Sequence, residues 1–147
     1  MKQAIILAAG EGQRLRPFTA EMPKVMLTVG GQPLLKHVIQ ALAQTGIRDI
    51  IIVVGYHREK VFDTLADGSD LGVNIRYAVQ ECQAGTAHAL RQAELLAEEQ
   101  FLLLPGDHLI DAETIKSIIS EEPQALLTCR VPETQTVRYG VVRQESG

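Results

Sequence analysis

The chain has 147 residues, of which 46% are hydrophobic and 22% charged, and its formal net charge is −4. This acidic balance disfavours a general nucleic-acid binder, which would concentrate Lys and Arg, and two cysteines are too few for a disulfide framework or a zinc site. No apolar run approaches the roughly 20 residues that cross a bilayer, so we expect one soluble cytoplasmic domain over residues 1–147, with no nucleic-acid or membrane partner.

Predicted strands and amphipathic helices alternate from the beginning of the chain. An Ile-rich run predicts a strand over Gln3–Ala8, and apolar residues at helical spacing predict a helix over Leu34–Gln44. The Ile and Val run of Asp49–Val54 predicts a strand that is buried on both faces of a parallel sheet. A helix over Arg58–Leu65 and a strand over Val73–Val79 follow, which completes a second βα unit.

The second half of the chain continues the same alternation. Ala, Leu, Glu and Gln favour a helix over Thr86–Ala97, and Phe101–Leu104 is an apolar run typical of a buried strand. A helix is predicted over Asp111–Ser120, with its first residue as the N-cap. The last two predicted strands are Ala125–Cys129 and Val137–Arg143. This order predicts a doubly wound, mostly parallel α/β sheet, which binds ligands beyond the carboxyl ends of its strands.

A glycine-rich turn with two basic residues follows the first predicted strand. Gly10 and Gly12 allow the backbone to turn closely over a ligand, and successive N–H groups there would face an anion. Arg14 and Lys24 add a planar fork and a compact point charge, both of which suit polyphosphate oxygens. The pattern predicts a triphosphate-binding loop, and a structural turn with solvated cations is the alternative.

Two other phosphate motifs do not fit this turn. A dinucleotide fingerprint needs a third glycine where the chain has Leu15, and an acidic residue after the second strand, where it has Val53-Val54-Gly55. A Walker A loop needs Gly-Lys-Ser or Gly-Lys-Thr, and neither tripeptide occurs. NAD binding and P-loop hydrolysis are therefore disfavoured.

Further candidate residues follow the later predicted strands. Gln80 ends the third strand and Gly85-Thr86 opens the next helix, so a side-chain amide and helix N–H groups could converge on a base. Asp107 follows the fourth strand, and Mg²⁺ binds through one or two carboxylates plus substrate phosphates, so this residue predicts a partial magnesium site. The alternatives are a plain helix entry and a solvated loop aspartate. We interpret His88 as structural.

The segment Leu7–Lys24, continued by Gly31-Gln32-Pro33-Leu34-Leu35, resembles the signature of the sugar-1-phosphate nucleotidyltransferases of the uridylyltransferase or thymidylyltransferase type. The resemblance implies a Rossmann-like fold and transfer of a nucleotidyl group from UTP, or next dTTP, to a sugar 1-phosphate such as glucose or N-acetylglucosamine 1-phosphate, with Mg²⁺ as cofactor. The site residues that it implies are Arg14 and Lys24 for catalysis, Leu7, Ala8, Ala9, Gly10, Gly12, Gln80, Gly85 and Thr86 for the nucleotide, Gly140 for the sugar and Asp107 for the metal.

The catalytic domain of that family is longer than this chain, so the resemblance implies a truncated, nucleotide-binding N-terminal portion. We expect the chain to bind UTP but to turn over weakly, and to self-associate through an exposed sheet edge. Two other classes of protein stay open. One is a non-catalytic regulatory or scaffold protein of the same fold, in which other residues would be expected to replace Arg14, Lys24 and Asp107. The other is a flavodoxin-like or Rossmann module that binds another nucleotide.

Overall fold

The computed structural model describes residues 2–121, 125–128, 132, 134 and 142. In chain order its elements are β1 (Gln3–Ala8), β2 (Thr28–Val29), β3 (Gln32–Pro33), α1 (Leu34–Gln44), β4 (Asp49–Val54), α2 (Arg58–Leu65), β5 (Asn74–Val79), α3 (Thr86–Gln92), β6 (Phe101–Pro105) and α4 (Ala112–Ser120), with single 3₁₀ turns at Gln13–Leu15, Lys24–Met26 and Ser69–Leu71. Strands β1, β4, β5 and β6 form a parallel sheet, and β2 and β3 form a short antiparallel hairpin. None of the helices within these ranges is long and apolar enough to cross a lipid bilayer.

The parallel sheet has the strand order β5-β4-β1-β6. β1 pairs with β4 along its whole length, from Gln3 opposite Asp49 to Ala8 opposite Val54, and its other edge pairs with β6. The chain passes outward from β1 to β4 and β5 and then returns to the other side of β1. The gap between the carboxyl ends of β1 and β6 is therefore the topological switch point, where open α/β sheets bind ligands.

Helices cover both faces of this sheet, because successive side chains of each strand point to opposite sides. Ile6 belongs to the core cluster on the face of α1, α2 and α4, where Leu35 and Ile115 are also fully buried. Ile5 belongs to a second cluster on the opposite face, together with Ala89 of α3. The arrangement confirms the prediction of a doubly wound, mostly parallel α/β sheet, and it explains why β1 and β4 are almost continuously apolar.

Helix α3 ends at Gln92, earlier than its predicted end at Ala97. The residues that follow Gln92 favour a helix, but the fully buried side chain of Gln3 fixes the chain in another path. Its Nε2 donates to the carbonyl of Leu96 at 3.2 Å, and its Oε1 accepts from the backbone N–H of Glu98 at 2.7 Å. These tertiary hydrogen bonds turn the chain towards β6 and override helix propensity.

The predicted strand over Ala125–Cys129 is wrong for residues 125–128, which have no regular secondary structure. Leu126 and Leu127 are 72% and 55% exposed, and no strand among the described residues pairs with the outer edge of β6. An apolar run forms a strand only with a ladder partner, and among the described residues no strand pairs with this segment. Cys129 and the predicted strand Val137–Arg143, apart from residue 142, lie outside the described residues.

Candidate active site

A cleft opens at the switch point between β1 and β6. Its larger cavity has a volume of about 710 Å³ and is lined by eight of the predicted site residues, Leu7, Ala8, Gly10, Gly12, Arg14, Lys24, Thr86 and Asp107. An adjoining cavity of about 290 Å³ shares three of these residues and is also lined by Ala9, Gln80 and Gly85. The fold therefore brings together the predicted site residues that the structure describes. Gly140, the predicted sugar contact, lies outside the described residues.

Gly12 allows the turn after β1 to pack closely against the segment that carries Lys24. Its φ of +68° is in the left-handed region, and a Cβ at this position would lie 2.9 Å from the Cβ of Lys24. Thr19 holds the turn in place, because its Oγ1 donates to the carbonyl of Gly12 at 2.9 Å. A Cβ on Gly10 would meet no protein atom within 4 Å, and Gly10 lines both cavities. Gly12 is therefore required by packing, whereas Gly10 leaves space in the cleft.

Arg14 lies in the 3₁₀ turn Gln13–Leu15 at the border of the larger cavity. Its side chain is exposed, and among the described residues no carboxylate forms an ion pair with it. The neighbouring Arg16 instead contacts Glu11 at 3.7 Å. Arg14 thus offers its guanidinium fork to an anion in the cleft.

Lys24 and Asp107 form an ion pair at the edge of the larger cavity. The Nζ of Lys24 lies 2.6 Å from Oδ2 of Asp107, and Nδ1 of His108 lies 2.8 Å from Oδ1 of the same carboxylate. Lys24 begins a 3₁₀ turn in which Val25 and Met26 are buried in the core. Both oxygens of the Asp107 carboxylate therefore have a nitrogen neighbour.

Gly106 positions Asp107 at the end of β6. The backbone N–H of Gly106 donates to the carbonyl of Leu7 at 2.8 Å, which extends the pairing between β1 and β6. A Cβ on Gly106 would lie 3.1 Å from that carbonyl oxygen and 3.2 Å from Cγ1 of Val25, tighter than ordinary contact. The small residue thus allows the Asp107 loop to approach the turn after β1.

The carboxyl group of Asp107 is ionised at neutral pH. Partial burial tends to raise its pKa, but the hydrogen bond and charge of Lys24, with a smaller effect of His108, outweigh burial and lower the pKa from 3.8. An ionised carboxylate is a hard oxygen ligand, which fits Mg²⁺ as one part of a site that phosphate oxygens complete. Within residues 2–121 and 125–128 no three His, Cys, Asp or Glu side chains cluster as a metal site. Among the described residues, Asp107 could supply one carboxylate ligand at this cavity.

Gln80 lies at the border of the smaller cavity, directly after β5, and only 4% of its surface is exposed. Its Nε2 donates to the carbonyl of Gly85 at 3.2 Å and lies 2.9 Å from Nδ1 of His88. Among the described residues no group donates to its Oε1, and no buried side-chain oxygen or nitrogen there lacks a partner. The Oε1 atom is therefore not fully enclosed by the described residues, and Gln80 lines the smaller cavity.

Gly85 gives the loop before α3 a backbone conformation that other residues rarely adopt. Its φ is +96° and its ψ is 177°, a region that is essentially restricted to glycine. A Cβ at this position would meet no protein atom within 4 Å. The glycine is required for the backbone path from Gln80 to Thr86, and it leaves the smaller cavity open.

Two polar residues of the same sheet edge were missed by the sequence analysis. Gln83 lines the smaller cavity, and its Nε2 donates to the carbonyl of Ala9 at the end of β1. Tyr56 donates from its hydroxyl to the carbonyl of Ala20 at 2.7 Å, and thereby ties the loop after Arg14 to the end of β4. The rule that ligand sites lie beyond the carboxyl ends of strands would have selected both positions.

The sequence profile of the family described as "Nucleotidyl transferase" matches residues 3–147. The chain belongs to the nucleotidyl transferase family. This match confirms the resemblance seen in the glycine-rich turn of this nucleotidyl transferase chain.

The chain is also similar in sequence to curated relatives and in fold to a solved structure. The chain is 38% identical over 144 residues to UTP–glucose-1-phosphate uridylyltransferase AglF of Haloferax volcanii, covering 95% of this chain and 58% of the relative. It is 42% identical over 131 residues to the bifunctional protein GlmU of Syntrophomonas wolfei, covering 87% of this chain and 27% of the relative. A Bacillus anthracis structure, provisionally described as a glucose-1-phosphate thymidylyltransferase in complex with a sucrose, superposes with a TM-score of 0.72 and 32% identity, over 82% of this chain and 51% of the other. The chain thus spans less than two thirds of each of these proteins.

Proposed function

We propose that this chain binds UTP, with dTTP next in preference, and transfers the nucleotidyl group to a sugar 1-phosphate with release of pyrophosphate. The observation that carries the proposal is the cleft between β1 and β6, where Gly10, Gly12, Arg14, Lys24 and Asp107 lie around one cavity. The printed names of the relatives support it, since they include a uridylyltransferase that acts on glucose 1-phosphate.

The charges of the cleft suit a reaction between two anions. The nucleophile is an oxygen of the sugar 1-phosphate, which attacks the α-phosphorus of the triphosphate while the bond to pyrophosphate breaks. A phosphate monoester has a second pKa near about 6, so at neutral pH it is largely dianionic and needs no general base. The remaining obstacle is electrostatic repulsion, which Arg14 and Lys24 reduce by holding the phosphates with charge-assisted hydrogen bonds.

Asp107 is the residue that would hold Mg²⁺, together with phosphate oxygens of the substrate. The ionised carboxylate at the end of β6 faces the same cavity as Arg14 and Lys24. When bound, Mg²⁺ would neutralise charge that develops on the phosphate of the transferred nucleotidyl group. Asp107 is the one carboxylate among the described residues that line this cavity, so we expect the chain to bind UTP but to turn it over slowly.

The smaller cavity supports a preference for uracil and thymine. These bases carry a hydrogen on N3, and the accessible Oε1 of Gln80, a residue that lines this cavity, is an acceptor for such a donor. Cytosine has an unprotonated N3, so its lone pair would be repelled by the lone pairs of this oxygen. The backbone N–H groups at the start of α3 are further donors for carbonyl oxygens of the base.

Calorimetric titration of the chain with UTP, dTTP, CTP and GTP, each with and without Mg²⁺, tests the binding part of this proposal. We expect UTP to bind tightest, dTTP next, and CTP and GTP weakly. Gln80→Leu should remove most of the preference for UTP over CTP, whereas Gln44→Leu, at an exposed residue of α1, is a matched control that should keep it. Equal affinity for all four nucleotides would contradict the assignment of the base subsite.

Pyrophosphate release tests the catalytic part. The assay would contain UTP, Mg²⁺ and, in turn, the 1-phosphates of glucose, glucosamine and N-acetylglucosamine. Slow release that depends on one sugar phosphate supports a transferase. UTP binding without release from any of them would instead favour the non-catalytic regulatory alternative.

A further inference from the structure

His88 on α3 contacts the residue that we assign to base recognition. Its Nδ1 lies 2.9 Å from Nε2 of Gln80, and its own backbone carbonyl accepts from Nε2 of Gln92 at 3.0 Å. The ring is only partly exposed, whereas the Gln80 side chain is buried. A histidine at this point could merely fill space, but the direction of its hydrogen bond has a chemical consequence.

The hydrogen-bond network fixes which way the Gln80 amide faces. The carbonyl oxygen of Gly85 lies 3.2 Å from Nε2 of Gln80, and a carbonyl can only accept. The amide nitrogen must therefore face Gly85, which leaves its second hydrogen for Nδ1 of His88. The amide nitrogen of Gln92 also faces this ring, but it lies 3.4 Å from Nε2 of His88, whereas Gln80 lies 2.9 Å from Nδ1. Because the shorter contact is the stronger hydrogen bond, we infer that Nδ1 of His88 accepts and that the neutral ring carries its proton on Nε2.

The opposite tautomer would place the two partners of Gln80 in conflict. A proton on Nδ1 of His88 would require the amide oxygen at that position, while the carbonyl of Gly85 would still require the nitrogen. The Nε2-protonated ring removes this conflict, since both partners then select the same amide orientation. The amide oxygen is consequently directed to the cavity, where the described residues offer it no donor.

We propose that His88 is a positioning residue that determines base selectivity by fixing the orientation of the Gln80 amide. The proposal rests on the proposed binding of a pyrimidine nucleotide at the smaller cavity. With the amide oxygen towards the ligand, the site accepts the N3–H of uracil or thymine. With the amide reversed, Nε2 would donate to N3 of cytosine, so a side chain that never touches the base would change which base is preferred.

The test compares the ratio of the CTP and UTP dissociation constants for three variants of the chain. His88→Leu removes the acceptor, so the amide is held by Gly85 alone and the ratio should fall about tenfold. His88→Asn keeps an acceptor near the Nδ1 position and should retain most of the ratio. Arg91→Leu changes an exposed residue of the same helix and should leave the ratio unchanged. A folded His88→Leu variant with the wild-type ratio would overturn the proposal.

A second measurement needs no substitution. The ¹⁵N chemical shifts of the imidazole nitrogens report the tautomer of His88 in the wild-type chain, and we expect a proton on Nε2 and an accepting Nδ1. An Nδ1–H tautomer would overturn the proposal even if the His88→Leu chain does not fold. Wild-type chain that binds UTP and CTP alike would instead remove the proposed base subsite itself, so the two failures are distinguishable.

Discussion

The Nζ of Lys24 lies 2.6 Å from Oδ2 of Asp107, although the two residues are 83 positions apart in the chain. About one third of each side chain is exposed, at 34% and 31%. The pair therefore contributes little to folding stability, because solvent screens its attraction. In the proposed function the pair acts on binding, since the carboxylate would neutralise the cation and also repel an incoming triphosphate.

When Mg²⁺ is absent, a substitution of Lys24 and a substitution of Asp107 should change the affinity for UTP in opposite directions. Lys24→Met removes a charge-assisted contact and should weaken binding about tenfold. Asp107→Asn removes a negative charge beside the phosphates and should strengthen binding. Calorimetry in the presence of EDTA measures both effects. If the two variants shift the affinity in the same direction, the pair does not act on the phosphates electrostatically.

Magnesium should reverse the effect of Asp107→Asn. In the wild-type chain, addition of Mg²⁺ should strengthen UTP binding, because the Asp107 carboxylate then holds the cation together with phosphate oxygens. The Asp107→Asn chain should gain much less from the same addition. The check is the ratio of UTP affinities with and without Mg²⁺, with Asp111→Asn as a control for loss of a carboxylate elsewhere. An equal gain in the two chains would place the metal away from Asp107.

The two glycines of the turn should respond differently to a methyl group. Gly12→Ala should lower the free energy of unfolding by about 1–2 kcal/mol, because it forces a positive φ on alanine and places its Cβ against Lys24. Gly10→Ala should leave the stability nearly unchanged and weaken UTP binding, since the added Cβ enters open cleft space. Thermal melts and calorimetry separate the two. A stable Gly12→Ala chain with normal UTP affinity would show that the turn does not need this packing.

Alkaline pH should destabilise the fold through Tyr77. Burial, followed by the negative charge of Asp67, raises the pKa of Tyr77 from 10.0 to about 12. A raised pKa means that the folded chain keeps a proton that the unfolded chain loses, so this contribution is complete below pH 10 and declines between pH 10 and about 12. Tyr77→Phe should have a shallower loss of stability over this interval, measured by urea unfolding. A parallel decline in both chains would assign the pH dependence to other groups.

The main sheet could be predicted from the sequence because its strands carry a strong local signal. The apolar runs Gln3–Ala8 and Asp49–Val54 are buried on both faces, and their predicted bounds agree with β1 and β4. The helix after Gly85 began where predicted, but its end depends on Gln3, a residue far away in the sequence. Local propensity carries no information about such a contact.

The residues of the candidate site could be predicted from the sequence, but the contacts between their side chains could not. Motif spacing selected Lys24, Gln80 and Asp107, and the topology brought them to one cleft. Spacing could not indicate that Lys24 would pair with Asp107, or that the Gln80 amide would be anchored by His88. These contacts depend on side-chain orientations that only the packed fold defines.

The position of β1 in the centre of the sheet has a consequence for the order of events on the ribosome. β1 can pair with β4 once residue 54 has emerged, but its other edge stays unpaired until Phe101–Pro105 has been synthesised. Closing so long a loop is entropically costly and slow. The glycine turn and Lys24 are therefore synthesised well before Asp107, and a nascent chain acquires its cleft only after β6 has paired with β1.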